Sequence, residues 1–249
     1  MIVYDNPKYY EIAFSFRDIP AEVDFLEKLI AQYSRIKVKN FFELASGNSP
    51  HIEELCKRGY HYMGLELNDQ MISYVRAKIK KLDLFAELVK GDMTKFSLPM
   101  LADCAMVFLG SFYIKNDRKL KQHLDSVAAN LQSGGLYILE STVSFFPKDQ
   151  HKQSWEMKEG LIKIVTTYDP VWIDKDEKLM AGKITLDIED NGVKKKIEHS
   201  EVRKIYTADE FITRAEQTNQ WQYITSCSNF DIQKKPKEGT RNIIVLRKK

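Results

Sequence analysis

Three acids and one glycine turn carry the chemistry that can be read from this chain. In Asn40-Phe41-Phe42-Glu43-Leu44-Ala45-Ser46-Gly47-Asn48-Ser49-Pro50 an apolar run ends at Glu43 and Leu44, then breaks into small residues around Gly47. Small side chains at such a turn let the backbone approach a ligand closely. A second apolar run, Tyr60-His61-Tyr62-Met63-Gly64-Leu65, closes on Glu66. That acid stands about twenty residues past the turn, where a carboxylate accepts hydrogen bonds from ribose hydroxyls. The third acid, Asp92, follows Gly91 and precedes Met93. A pyrophosphate would need the full G-x-G-x-x-G and several free backbone N–H groups. Here Ser49 stands where a second glycine would, Pro50 lacks a donor, and Glu43 faces the space of the phosphate charge. A cationic ligand without phosphates fits these residues better.

The elements that must hold these residues alternate. Strands are expected over 38–44, 60–66, 85–89, 103–109 and 136–141, with helices over 50–58, 69–82 and 117–131. Ser49 reads as a helix N-cap with Pro50 at the first helical position. Gly59 ends that helix, and Lys78, Lys80 and Lys81 crowd the end of the next, as suits helix C-termini. Such alternation implies a parallel sheet with helices on both faces, whose ligands lie beyond the carboxyl ends of the strands. Residues 1–35 read as a helical segment interrupted at Ile19-Pro20, after which Val23, Leu26, Leu29 and Ile30 recur at helical spacing.

After residue 150 the pattern changes. Leu161 to Tyr168 reads as a strand, Ile184 to Glu189 alternates apolar and polar, and Asn191-Gly192 signals a tight turn. An antiparallel sheet inserted at 150–205 is therefore expected, with 1–149 and 206–249 forming the core and 1–35 lying over it. Thr207-Ala208-Asp209-Glu210 is a capping box opening a helix, and strands near 221–230 and 242–247 close the chain. With 249 residues, 43% hydrophobic and 29% charged, the chain reads as one substantial globular domain. Its net charge of +3 is too mild to argue for nucleic acid. Cys56, Cys104 and Cys227 fit neither a metal spacing nor a disulfide framework, so no metal is expected. No early apolar stretch resembles a signal peptide and none is long enough to span a bilayer, so a cytoplasmic setting is expected.

These landmarks together resemble the class I S-adenosylmethionine-dependent methyltransferases. Glu43-Leu44-Ala45-Ser46-Gly47-Asn48-Ser49 looks like that family's acid-x-small-x-Gly-x-Gly turn, with Ser49 replacing the last glycine. Gly64 to Met71 is similar to its second strand, ribose acid and following helix. Lys90-Gly91-Asp92-Met93 is similar to its adenine contact, and Leu131 to Glu140 to its Gly-Gly lead into strand five, without the usual proline. The resemblance covers almost the whole chain. It implies a Rossmann-like α/β fold with a seven-stranded, mostly parallel sheet, and S-adenosyl-L-methionine as donor with S-adenosyl-L-homocysteine as product. Glu43, Ala45, Gly47, Glu66, Leu67, Met71, Asp92, Met93 and Leu109 would line the donor site, Met93 through its backbone N–H.

The layout is most similar to methyltransferases acting on amino sugars and glycine-type amines. It runs from a Tyr-rich start through the core and an inserted sheet to Glu201-x-Arg203-x-x-Tyr206 before the capped helix. In that resemblance Tyr4, Tyr9, Tyr10, Phe14 and Phe16 ahead of Arg17-Asp18 form a lid, and Tyr10 or Arg17 holds the donor carboxylate. The alternative is that these aromatics simply staple the first helix to the sheet. Acceptor-facing residues would begin at Ser111-Phe112-Tyr113, and Tyr113, Glu140 and His199 are the general-base candidates. For His199, amid Glu198, Glu201 and Arg203, the plainer explanation is a solvated strand face. His51, His61, His123 and His151 read as ordinary. The acceptor would be a small molecule offering an N or O nucleophile, to a monomer or homodimer, with no membrane partner and nucleic acid not the expected one. Competing readings are an RNA or protein methyltransferase and a non-catalytic donor-binding regulator.

Overall fold

The computed structural model describes residues 2–146 and 151–249, so the expected boundary at 149–150 lies outside the described residues. Two sheets organise the chain. Strands β1 (Asn40–Leu44), β2 (His61–Glu66), β3 (Ala86–Lys90), β4 (Ala102–Val107) and β5 (Leu131–Glu140) are parallel where they pair. The last two strands, β10 (Trp221–Ser228) and β11 (Asn242–Lys248), close that sheet in antiparallel fashion, giving the order β10-β11-β5-β4-β1-β2-β3. The expected seven-stranded, mostly parallel architecture is present. The chain leaves β1 toward β2 on one side and returns to β4 on the other. The crevice beyond β1 is therefore a topological switch point, where open α/β sheets bind ligands.

Both faces of this sheet are buried, and the period of two assigns each side chain. Phe41 and Tyr62 pack on one face with Phe25, Leu26 and Leu29 of α2 (Ile19–Tyr33), Leu55 of α3 (Ile52–Lys57) and Val75 of α4 (Asp69–Leu82). Their neighbours Phe42 and Met63 pack on the other face with Leu124 of α5 (Asp117–Ala129) and Phe211 of α6 (Ala208–Gln217). Caps fix the helix starts. Asp18 accepts from Ala21 N with Pro20 in the first turn, Asn68 from Gln70 N and Met71 N, and Thr207 and Glu210 form the expected capping box.

The second sheet runs β6 (Gln153–Glu159), β7 (Ile162–Asp174), β8 (Leu179–Asp190) and β9 (Val193–Lys204), antiparallel throughout. Its apolar face is covered by the start of the chain. Val3 of a 3-10 turn (Val3–Asp5), with Ile12 and Ala13 of α1 (Pro7–Ala13), packs on Ile162, Ile164, Leu186, Ile188 and Ile197. Trp155 Nε1 donates to Ala13 O at 2.6 Å and Tyr9 OH to Asp190 at 2.7 Å. The small sheet and the N-terminal segment thus share one core.

Four local expectations need correction. Ser49 is not an N-cap: it sits in the turn at φ +48°, and α3 begins three residues later with no side-chain cap at His51. Strand β4 stops at Val107, so Leu109 and Gly110 form a left-handed turn at φ +53° and +62°. Strand β5 starts at Leu131 and includes Gly135, where a Cβ would lie 2.4 Å from Asp103 O. Strand β7 runs on through Pro170, beyond the last residue that β6 pairs, where no β6 carbonyl awaits a donor.

Candidate active site

Beyond the carboxyl ends of β1, β2 and β3 lies a cavity of about 600 Å³. Its floor is the glycine turn. Ala45, Gly47 and Ser49 all take left-handed φ (+49°, +53° and +48°), so Ser49 keeps a conformation usually left to glycine. Ser46 N donates to Leu65 O at 3.0 Å, tying the turn to the end of β2. Glu66 clamps the same junction. Its Oε2 accepts from Gly47 N at 2.8 Å, and Oε1 from Leu67 N and Asn68 N at 2.8 Å each. A carboxylate has about four lone-pair sites, so the Oε2 oxygen retains capacity for one ligand hydroxyl. At the end of β3, Asp92 Oδ1 accepts from Thr94 N at 2.7 Å and Thr94 Oγ1 at 2.8 Å, and among the described residues no donor reaches Oδ2.

Of the residues singled out in the sequence, Tyr10, Ala45, Gly47, Glu66, Leu67, Asp92, Met93 and Tyr113 all line this cavity. His123, read as ordinary, holds Met93 in place. It is fully buried, with Nδ1 at 2.9 Å from Met93 O and Nε2 at 2.7 Å from Tyr137 OH. A neutral ring donating to the carbonyl and accepting from the phenol satisfies both contacts. Burial lowers its pKa to about 4.

A second cavity, about 640 Å³, adjoins the first and shares Tyr4, Tyr10, Ser111 and Tyr113 with it. Its walls are aromatic: Phe14 and Phe16 from the N-terminal segment, Trp155 and Tyr168 from the inserted sheet, Phe145 after β5. Arg203, Arg241, Ser141 and Glu140 supply its polar groups. At the junction Tyr4 OH and Tyr113 OH are 3.2 Å apart. Burial pushes the phenols of Tyr4, Tyr10 and Tyr113 up, which keeps them neutral. His199 lies outside both linings. Its ring packs edge-on to Tyr4, and its Nε2 is 3.0 Å from Glu201 Oε1. Glu201, rather than His199, reaches the first cavity.

Beneath the turn the chain buries a network of ions. Glu22 pairs with Arg17, with His51 Nε2 at 3.0 Å and with Arg241 Nη1 at 2.7 Å. Glu43 pairs with His51 Nδ1 at 2.9 Å and accepts from Tyr62 OH at 2.7 Å. Glu140 takes Arg241 Nε at 2.8 Å and Nη2 at 3.0 Å, Leu109 N at 2.7 Å and Ser141 Oγ at 2.5 Å. Burial opposes charge on His51, but Glu43 beside it and hydrogen bonds to Glu22 and Glu43 outweigh that, so its pKa is raised. Burial likewise pushes Glu22 and Glu140 up, yet hydrogen bonds from His51 and Arg17, and the charge of Arg241, hold both below the usual carboxylate range. With an imidazolium at His51, three carboxylates face three cations. Arg17 Nη2 also lies 3.0 Å from His51 Nε2, which we read as two cations sharing Glu22 rather than as a bond between them.

This geometry corrects five roles. Arg17 is not an exposed lid residue free for a donor carboxylate: its side chain is 4% exposed and spent on Glu22. Glu43 faces His51 and Tyr62 and lines a recess of about 30 Å³ under the turn with Arg17 and Leu109, and Leu109 also lines the second cavity but not the first. Met71 is fully buried in α4 and lines no cavity described above. Glu140 lines the second cavity, but its oxygens are saturated and its lowered pKa unsuits it as a base. Sequence reasoning missed Glu22 and Arg241 altogether, and saw Glu201 and Arg203 only as part of a motif.

Residues 41–135 match a family model described as a methyltransferase domain. The chain is 23% identical over 117 residues to a putative methyltransferase of Geobacillus sp. (strain WCH70), covering 47% of each. It is 25% identical over 143 residues to the dTDP-3-amino-3,4,6-trideoxy-alpha-D-glucopyranose N,N-dimethyltransferase of Streptomyces venezuelae, covering 56% of this chain and 58% of that one. The chain therefore spans about half the length of the curated relatives it matches. Among solved structures, a S-adenosylmethionine-dependent methyltransferase from Clostridium acetobutylicum superposes with a TM-score of 0.79 at 17% identity, over 96% of this chain and 95% of that one. At that identity the superposition speaks for the fold alone.

Proposed function

We propose that this chain, whose residues 41–135 match a methyltransferase domain, is a class I S-adenosylmethionine-dependent methyltransferase that methylates an amine on a small molecule, with the donor in the first cavity and the acceptor in the second. The observation that carries this reading is the wall of Tyr4, Tyr10, Ser111 and Tyr113 common to the two cavities. Two chambers of several hundred Å³ that meet at a ring of neutral phenols suit two reactants and one point of transfer. S-adenosylmethionine supplies a methyl group already activated on a sulfonium, for which no metal is needed.

The residues fit such a donor. Glu66 Oε2 has room for one ribose hydroxyl and Asp92 Oδ2 for an adenine amino group, while His123 fixes the Met93 backbone beside them. Tyrosine ring faces favour a cation. Arg17 and Arg241, tied to Glu22 and Glu140, hold the turn instead of the ligand. The inserted sheet and the N-terminal aromatics wall the second cavity from water and orient the acceptor, and orientation alone can supply several kcal/mol, about seven or more in favourable cases. An amine must lose its proton to attack. Glu201, on the wall of the first cavity and hydrogen-bonded to His199, is a carboxylate able to take it.

The test is turnover of S-adenosylmethionine with a panel of amines, alcohols and thiols, followed as S-adenosylhomocysteine. Methylation of amines, weakened by Glu201→Gln most strongly at low pH where more amine is protonated, is the expected outcome. Donor binding without turnover on any member would favour the binding-only reading, and turnover confined to alcohols or thiols would overturn the amine assignment.

A further inference from the structure

Four neighbouring strands meet around one ion pair. β10, β11, β5 and β4 lie side by side in the large sheet, and at their shared edge Leu109, Ser141, Asn229 and Phe230 take left-handed φ of +53°, +53°, +51° and +55°. Asparagine tolerates that region, but leucine, serine and phenylalanine adopt it only where their surroundings compel them, and such residues gather at functional sites. Each of the four bonds to or packs on Glu140 or Arg241. Leu109 N donates to Glu140 Oε2 at 2.7 Å and Ser141 Oγ to Oε1 at 2.5 Å. Asn229 N donates to Arg241 O at 2.9 Å, and its Oδ1 accepts from Arg241 N at 3.1 Å. The guanidinium carbon of Arg241 lies 4.5 Å from the centre of the Phe230 ring.

The two ends of this pairing are unequally supported. Arg241 gives Nε and Nη2 to the two oxygens of Glu140 and Nη1 to Glu22. Glu22 has two further basic partners, Arg17 and His51. Glu140 is fully buried and, among the described residues, pairs with no cation but Arg241. Loss of the Arg241 fork therefore leaves Glu22 paired under the glycine turn and exposes Glu140 to the cost of a buried, unpaired charge. The loop that Glu140 holds begins at Leu109 and carries Ser111 and Tyr113, two of the four residues common to both cavities. It has little slack, because a Cβ at Gly110 would lie 2.9 Å from Ser141 O.

We infer that Arg241 is a positioning residue for methyl transfer. Through Glu140 it holds Leu109 and Ser141 in their left-handed conformations, and so it sets where Ser111 and Tyr113 stand between the donor and the acceptor. The inference rests on the two-chamber reading above, and it assigns Arg241 an action through Glu140 rather than on the reacting atoms. A wall displaced by about 1 Å can cost on the order of a hundredfold in rate. The bidentate fork suits this task, since it fixes the direction of the carboxylate as well as its charge.

Arg241→Lys tests it, because lysine keeps the cation and loses the fork. Calorimetry with S-adenosylhomocysteine should show full stoichiometry and an affinity within about threefold of wild type, since Glu22 keeps Arg17 and His51. With an accepted amine, kcat should fall about a hundredfold while the KM for the donor holds. Glu140→Gln, in which Arg241 stays paired with Glu22, should show the same split and serves if the first variant does not fold. The double variant should lose no more than the worse single one, because both act on one loop. A kcat within about threefold of wild type in these variants overturns the inference. So does a loss of donor affinity as large as the loss in kcat, which marks a general defect of the fold. Hydrogen exchange on the S-adenosylhomocysteine-loaded protein supplies a readout without turnover. Faster exchange over residues 109–113 and at Ser141 in Arg241→Lys, with Gly47 unchanged, supports the inference even if no amine is methylated, which would count against the amine reading alone. Unchanged exchange over 109–113 overturns it.

Discussion

Acidic and basic residues pair in two regions of this molecule with contrary consequences. On the inserted sheet, Lys163–Glu156, Lys183–Glu198 and Lys196–Asp187 form a ladder of contacts whose side chains are 41–58% exposed. Under the glycine turn, Glu22, Glu43, His51 and Arg17 pair with side chains no more than 5% exposed. In the ladder, water and salt screen each pair, and each partner can return to solvent at little cost. In the buried set, no member can lose its partner without leaving a charge in a dry interior. The first arrangement keeps the charged face of those strands in water; the second fixes the floor of the first cavity.

The largest effect concerns the inserted sheet as a whole. We propose that residues 150–205 cannot fold alone, because Ile162, Ile164, Leu186, Ile188 and Ile197 are covered by Val3, Ile12 and Ala13. Expressed by itself, the segment should show no cooperative unfolding; a sharp transition would make it a domain. Next comes Glu22→Ala, which leaves Arg17, His51 and Arg241 facing one another. It should cost about 3–5 kcal/mol in denaturant unfolding, and a loss under about 1 kcal/mol would place this network with the exposed ladder.

The pH dependence sharpens the same contrast. His51 has a raised pKa in the fold, so its contribution is complete below its unfolded value near 6.5 and fades as pH rises through the folded one. His123 runs the other way. Its pKa falls to about 4, so the unfolded chain takes up the proton first and stability declines as pH drops from 6.5 toward 4. The lowered carboxylates Glu22 and Glu140 add to the acid loss below about 4.5. Unfolding midpoints should therefore peak between these limbs, and His51→Gln should flatten the alkaline limb only. An unaltered alkaline limb in that variant would contradict an imidazolium at His51. The smallest effect belongs to Lys183→Ala in the ladder, which should leave the unfolding midpoint in place at moderate salt, as measured by thermal melts.

What the sequence disclosed follows from how local each feature is. Period-two burial at Phe41 and Phe42, the Thr207–Glu210 capping box, and the acids closing β1 and β2 depend on neighbours a few residues away. They could be read directly, and so could the order of elements that places Glu66 and Asp92 at one edge. The buried network could not, since Glu22 and Arg241 lie 219 residues apart and neither belongs to a motif. Arg17 followed from the same gap: after the aromatic run it suited a donor carboxylate, and only the fold brings Glu22 and His51 to it. Strand β6 escaped notice because Gln153–Glu159 is largely exposed, so it shows little of the hydrophobic alternation that marks a strand. Ser49 looked like a cap because caps favour serine, yet the turn required a left-handed residue there instead.

The most direct measurement of the central claim is the calorimetric affinity of S-adenosylhomocysteine for wild-type protein and for Glu66→Ala. Binding by the wild type, weakened in the variant by roughly 1–3 kcal/mol through lost charge-assisted hydrogen bonds and a loosened Gly47 turn, is the expected result. Equal affinity in the two proteins would remove Glu66 from the donor site, and no binding to the wild type would contradict the assignment of this cavity to the donor.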